Sequence, residues 1–275
     1  MKKARVIIVL ALALAVLAAC AQSSGVRVMS SPSPVLDRIQ QRDELVVGTV
    51  GGMPPFNMTA KDGKIIGFEA DLARYLADSL GVKLTFKTMA FSELLPALEA
   101  GKVDMVLSSV TMTVKRNAKY AFVGPYYISG KGILTNLANL ANIESPGEID
   151  KSDFKVVALE GSTSQEFVEK VLSKVTLVKA KSYDEAVDMV LKGEVTAMLA
   201  DHPICVVSVL RHPDSELFTI VSPFTFEPIG AVLPAIDPLF INLFENYLNT
   251  LEGSGALDSL QDYWFSKGDW WDNVK

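Results

Sequence analysis

The chain has 275 residues, 49% of them hydrophobic, and a formal net charge of −6. That is enough apolar material for one large domain or two small ones without disulfides, while the acidic balance argues against nucleic acid, whose phosphates demand a basic surface. Its two histidines, His202 and His212, stand apart from any carboxylate or cysteine cluster, so neither a metal site nor a cofactor is legible.

At the start, Lys2, Lys3 and Arg5 precede an apolar run from Val6 to Leu17, too short for an ordinary membrane span. Residues 1–19 therefore read as a secretory signal. The run closes on Leu17, Ala18, Ala19 and Cys20, which resembles the lipobox of bacterial lipoproteins, where the cysteine is lipidated and becomes the first residue. The expected location is then periplasmic or cell-surface, with a lipid anchor at Cys20. Residues 20–35 are rich in serine and include Gly25, Pro32 and Pro34, as a flexible tether would. Folding is expected to begin near Leu36. The remaining cysteine, Cys205, lies in an apolar stretch and reads as a buried thiol.

Leu45 to Thr49 reads as a strand closed by Gly51, Gly52, Pro54 and Pro55. The spacing of Phe68, Leu72, Tyr75, Leu76 and Leu80 then predicts a helix stopped by Gly81. Val82 to Phe86 follows as a strand, Ser92 is placed to cap a helix to about Glu99, and Val103 to Ser108 is a third strand. A similar order recurs later: strand Val156 to Leu159, a Gly161 to Thr163 loop, a helix to Leu172, strand Thr176 to Val178, a helix opened by the Ser182 and Glu185 capping box, and strand Thr196 to Ala200. Two α/β lobes are expected, each a mainly parallel sheet flanked by helices. Residues 36–128 form the first part of lobe 1, 129–225 lobe 2, and 229–275 the return to lobe 1. Hinge crossings fall at about 128–132 and 223–228. The helix from about Pro238 to Thr250 needs lobe 1 to bury Phe240, Leu243, Phe244 and Tyr247, and the closing Trp264, Trp270 and Trp271 read as pins for the tail.

Ligands of parallel α/β sheets bind beyond the carboxyl ends of strands. The chemically suggestive residues fall there: Val50, Met53 and Phe56 after the first strand, Ser109, Thr111 and Arg116 within SSVTMTVKR, Ser162 and Thr163 after Gly161, and Asp201. A guanidinium can grip both oxygens of a carboxylate while hydroxyls add single hydrogen bonds. Taken singly, these residues are equally at home as helix caps or solvated charges. Together they place a cation on one lobe and an acid on the other, which complements an α-amino acid, its carboxylate on Arg116 and its ammonium on Asp201.

The segments VVGT at 46–49, PPF at 54–56, DGKIIGFEADLA at 62–73, LLPALEAGKVDMVLSSVTMT at 94–113, PYYISG at 125–130, ALEGSTS at 158–164 and ADHP at 200–203 resemble the periplasmic solute-binding proteins of the polar amino acid ABC-transporter family, family 3. The resemblance implies a monomeric, two-lobed type II binding-protein fold that delivers an amino acid to an ABC permease in the inner membrane. It implies Arg116 as carboxylate partner, Ser109 and Thr111 as a hydroxyl pair, Ser162 and Thr163 as second-lobe contacts, Asp201 as ammonium partner and Phe91 as an aromatic wall. Val50 stands where receptors for cationic amino acids often carry aspartate, and Met53 where an aromatic commonly stacks, so a neutral or apolar side chain is favoured. Two rival functions share the fold. Cyclohexadienyl dehydratase, a related enzyme, uses a glutamate where this chain has Gln165, with Glu166 adjacent, and an amide is a poor proton donor. A ligand-sensing module that signals through a membrane partner is the other.

Overall fold

The structure, a computed structural model, describes residues 33–220, 222–268, 270, 271 and 274. The signal sequence and Cys20 lie outside the described residues, as does most of the expected tether.

The described residues begin at Ser33, and Pro34 and Val35, before the expected Leu36, already belong to a helix. Pro34 opens helix α1 (Pro34–Arg42), where a fixed φ suits the first turn. Asp237 ties this start down, accepting from Ser33 Oγ at 2.8 Å and Val35 N at 2.8 Å. The same carboxylate caps a later helix through Phe240 N at 2.9 Å, so the starts of two distant helices share one buried acid.

Two strand-and-helix steps and a third strand build the first lobe: β1 (Glu44–Thr49), a small sheet of β2 (Gly52–Met53), β3 (Asn57–Thr59) and β4 (Ile65–Ile66), helix α2 (Phe68–Leu80), β5 (Lys83–Thr88), α3 (Phe91–Glu99) and β6 (Met105–Val106). Helix α2 stops at Gly81 in the left-handed region, as its position after the apolar stripe predicts. Helix α3 starts one residue before Ser92, with Glu93 folding back onto Ala90 N at 3.2 Å. After the short helix α4 (Val114–Asn117), β7 (Ala121–Ser129) and β8 (Lys131–Thr135) run on with only Gly130 between them. The second lobe then repeats the plan with β9 (Lys155–Leu159), α5 (Thr163–Val171), β10 (Thr176–Ala180), α6 (Tyr183–Leu191), β11 (Ala197–Asp201), α7 (His202–Arg211) and β12 (Phe218–Thr219). β13 (Glu227–Leu233), α8 (Pro238–Gly253) and α9 (Ala256–Gln261) close the chain.

Two five-stranded sheets result, ordered β5-β1-β6-β13-β7 and β10-β9-β11-β8-β12. Within each, the strands joined through helices pair in parallel, while those entering from the other lobe pair antiparallel. The sheets are therefore mixed, because a strand that arrives directly from the neighbouring lobe needs no crossover helix and has no cause to run parallel. β7 leads into β8, and the β12 to β13 segment leads back, so the chain passes between sheets twice.

One core buries Leu72 and Leu76 of α2 against Phe240 and Phe244 of α8, and Trp264 and Trp270 pack into it. Trp264 also donates to Asp71 at 2.8 Å, so the terminal aromatics do pin the tail. A second core runs from Phe91, Leu94 and Val110 of the first lobe to Tyr183, Val187 and Ile204 of the second. The lobes thus meet through apolar contact beside the cleft. Cys205 is wholly buried in that core, and burial pushes its thiol up to about 12, which removes it as a nucleophile.

Candidate functional site

A cavity with only about 10 Å3 of free space, room for about one water, lies between the sheets, walled by Met53, Phe91, Ser109, Thr111, Lys131, Ser162, Thr163, Ser164, Tyr183 and Asp201. It sits at the carboxyl ends of the parallel strands, where helix starts and loops converge.

From the first lobe, Ser108 anchors the loop after β1: its hydroxyl accepts from Val50 N at 3.0 Å and lies 3.3 Å from Met53 Sδ. Ser109 next to it has φ of 49°, in the left-handed region. Glu69 holds it there, accepting from Ser109 N at 2.6 Å, from Asn57 Nδ2 at 2.6 Å and from the Tyr126 hydroxyl. Burial raises the Glu69 carboxyl to about 7, against the three hydrogen bonds, which favour its charged form. So fixed, Ser109 donates its hydroxyl across the cleft to Asp201 Oδ2 at 3.0 Å. Thr111 meets Thr163 hydroxyl to hydroxyl at 3.2 Å, a second contact between lobes.

Arg116 is half-buried and stands beside the cavity, not in its lining. Its Nη1 donates to Thr111 O at 2.9 Å and its Nη2 to Gly161 O at 3.1 Å, so the guanidinium links strand-end loops of both lobes. It lies 5.8 Å from the centroid of Phe91. Burial lowers its pKa, and the carboxylates of Glu166, Asp201 and Glu227 oppose that shift. Val50 packs among the apolar residues beside Met53 and Phe91, off the cavity wall.

Ser162, in the second lobe, is the N-cap of α5: its hydroxyl accepts from Gln165 N at 3.1 Å and donates to Leu159 O at 2.7 Å. The next two residues differ in this respect. Thr163 donates to Glu227 Oε2 at 3.2 Å, whereas the Ser164 hydroxyl, 1% exposed, has no hydrogen-bond partner. Asp201 is 3% exposed, and its Oδ1 accepts from Lys131 Nζ at 2.7 Å.

Lys131 is the principal residue that reasoning from the sequence missed. It is 1% exposed, pairs directly across the ladder with Asp201, and lies 3.4 Å from Glu227 Oε2. Glu227 is held in turn by Thr225 Oγ1 at 3.0 Å. A usable signal existed: one lysine between Gly130 and the apolar run Gly132 to Leu134 is unusual for a strand bound for a core. Ser164 and Tyr183 were also missed, and nothing in their spacing marks them.

Residues 45–267 match the bacterial extracellular solute-binding proteins, family 3. The chain belongs to that family. Among the relatives of this solute-binding protein, the L-cystine-binding protein TcyJ of Escherichia coli is 26% identical over 234 residues, covering 84% of this chain and 86% of the relative. Cyclohexadienyl dehydratase of Pseudomonas aeruginosa is 26% identical over 252 residues, covering 92% of each. Among solved structures, an ancestral arginine-binding protein bound to arginine superposes with a TM-score of 0.77 at 31% identity, covering 82% of this chain and 99% of that one. The two-lobed type II fold is thereby established.

Proposed function

We propose that this solute-binding protein takes a free α-amino acid into the cleft between its lobes and delivers it to an ABC permease. One observation supports the reading: Asp201 lines the cavity with the hydroxyls of Ser109, Thr111 and Thr163, and the Arg116 guanidinium stands beside it on the backbone carbonyls of Thr111 and Gly161. A ligand bearing both a carboxylate and an ammonium can touch both lobes, and only such bridging contacts favour closure. Arg116 is assigned to the carboxylate, Asp201 to the ammonium, and Met53 and Phe91 to the side chain, with Val50 behind them. The crossings near 128–132 and 223–228 serve as the hinge. Cys20, lipidated, would hold the protein at a membrane surface, and a Cys20→Ala variant should leave the membrane fraction.

Arg116→Ala should weaken amino-acid binding by about 2 to 4 kcal/mol, roughly thirtyfold to a thousandfold, because a desolvated charge pair loses one member. Calorimetry on the variant decides this: near-native affinity sinks the assignment.

The dehydratase reading is disfavoured by the second-lobe loop. Gln165 is committed, accepting from Gly161 N at 2.8 Å and donating to Glu169 at 2.8 Å. Its neighbour Glu166 pairs with Lys170 at 2.8 Å and Lys115 at 3.3 Å, which lower its pKa and keep it from donating a proton at neutral pH. Turnover of prephenate by the purified protein would reverse this conclusion.

A further inference from the structure

We propose that Lys131 fixes the charge of the ligand: its ammonium stands inside the cleft as a resident cation, so the site accepts a neutral, hydrogen-bonding side chain and excludes a cationic one. This deepens the amino-acid reading above and rests on it.

Three features of the cavity lead there. Lys131 reaches the cavity wall with its side chain 1% exposed, and its Nζ is 2.7 Å from Asp201 and 3.4 Å from Glu227. In a receptor for a cationic side chain, carboxylates so placed would be free to meet the ligand. Here the chain itself supplies the cation.

The acids nearest the cavity are already matched by the chain's own cations. Lys131 and Arg116 offset Asp201 and Glu227, and the rim carboxylate of Glu166 is held by both Lys170 and Lys115. A zwitterionic amino acid adds no net charge to this set, whereas a lysine or arginine ligand adds an unpaired buried cation beside the Lys131 ammonium. Like charges brought together in a desolvated site are strongly unfavourable.

Finally, the Ser164 hydroxyl is buried without a partner and lines the same cavity. A buried hydroxyl in that condition calls for a polar neighbour. An amide or hydroxyl on the ligand side chain would supply one without adding charge, with Met53, Phe91 and Tyr183 enclosing the rest.

The competing explanation is architectural. Lys131 and Glu227 belong to the two strands that flank the crossings, so their ion pair could simply fasten the hinge. A merely structural lysine would leave the ligand preference untouched when replaced, and this separates the two.

The test is calorimetry and thermal shift on the wild type, on Lys131→Ala and on the double variant Lys131→Met with Glu227→Gln, each against L-glutamine, L-serine, L-leucine, L-lysine and L-ornithine. The double variant guards against misfolding, because it leaves Asp201 as the only acid deprived of Lys131. In the wild type, L-lysine and L-ornithine should bind about a hundredfold more weakly than the best neutral ligand. In the variants their affinity should rise by about tenfold or more, and they alone should restore the lost melting temperature. Equal affinity of the wild type for L-lysine and the best neutral amino acid overturns the proposal, as does an unchanged L-lysine affinity in a folded variant. A wild type that binds none of these amino acids overturns this inference together with the amino-acid reading. A wild type that binds neutral ones while the folded variants gain no cation affinity overturns this inference alone.

Discussion

Glu69 is a buried carboxylate, and Asn57 and Tyr126 hold it against the backbone N–H of Ser109, a residue in the left-handed region. Its proton is coupled to folding. The folded carboxyl titrates at about 7 against an ordinary value of 4.5, chiefly because burial disfavours the charge. Below pH 4.5 both folded and unfolded chains hold the proton. Between 4.5 and 7 the folded chain keeps a proton that the unfolded chain has released, so this contribution falls as pH rises and is lost above 7, by a total on the order of 3 kcal/mol. Glu69→Gln removes the titration. Its unfolding free energy, from urea melts between pH 4.5 and 7.5, should decline less steeply than that of the wild type, whatever its absolute stability. Parallel pH profiles would mean that Glu69 does not titrate in this range.

The elements on either side of the crossings explain how the cleft acquires its charged floor. β8 brings Lys131 opposite Asp201 of β11, and β13 brings Glu227 beside Ser129 of β7. Gly130 permits this close approach: a Cβ there would run into Thr225 O and stand 2.6 Å from Pro223 Cβ. Gly130→Ala should therefore push the two crossing segments apart at a cost of about 1 to 3 kcal/mol, with ligand affinity falling as well, because Lys131 N bonds Thr225 Oγ1 at 3.0 Å and Phe224 N bonds Lys131 O at 2.9 Å. Chemical denaturation and calorimetry on one preparation would show both losses; wild-type values in both would mean the crossings have slack. This region also marks where the sequence stopped being informative. Helices with an apolar stripe, such as α2 and α8, were legible because their periodicity is local. β6 was not: Val103 to Ser108 reads as six strand residues, yet the strand covers only Met105–Val106, with single backbone bonds from Asp104 N to Val46 O at 2.8 Å and Leu107 N to Gly48 O at 3.1 Å beside it, while the Asp104 carboxylate takes Val46 N, Arg38 and Arg42. The site divides the same way. Ser109, Thr111, Thr163 and Asp201, which strand ends and a family pattern single out, line one cavity, and Arg116 stands beside it. Lys131 and Glu227 were not, since a charge in a strand reads as surface until its cross-strand partner is known.

At the scale of the molecule, residues 33–275 form one compact unit even though they carry two large sheets. The apolar core beside the cleft and the direct contacts Ser109 to Asp201 and Thr111 to Thr163 couple the lobes, so unfolding should be a single transition. Ligand binding then stabilises the whole unit and not one lobe. For a ligand that binds only the folded state, a concentration near 100 times Kd contributes about 2.7 kcal/mol. In a domain of this size that corresponds to a rise in Tm of roughly 5 to 10 °C. The shift should require both ends of the ligand, because a compound with only a carboxylate reaches Arg116 but leaves Asp201 to Lys131 and Ser109, its existing partners. Screening neutral L-amino acids beside their deaminated analogues tests this directly. The amino acid that binds should move the single transition upward, and its deaminated analogue at the same concentration should move it less. Two separate transitions, only one of them shifted, would show instead that the lobes unfold independently and that the ligand belongs to one.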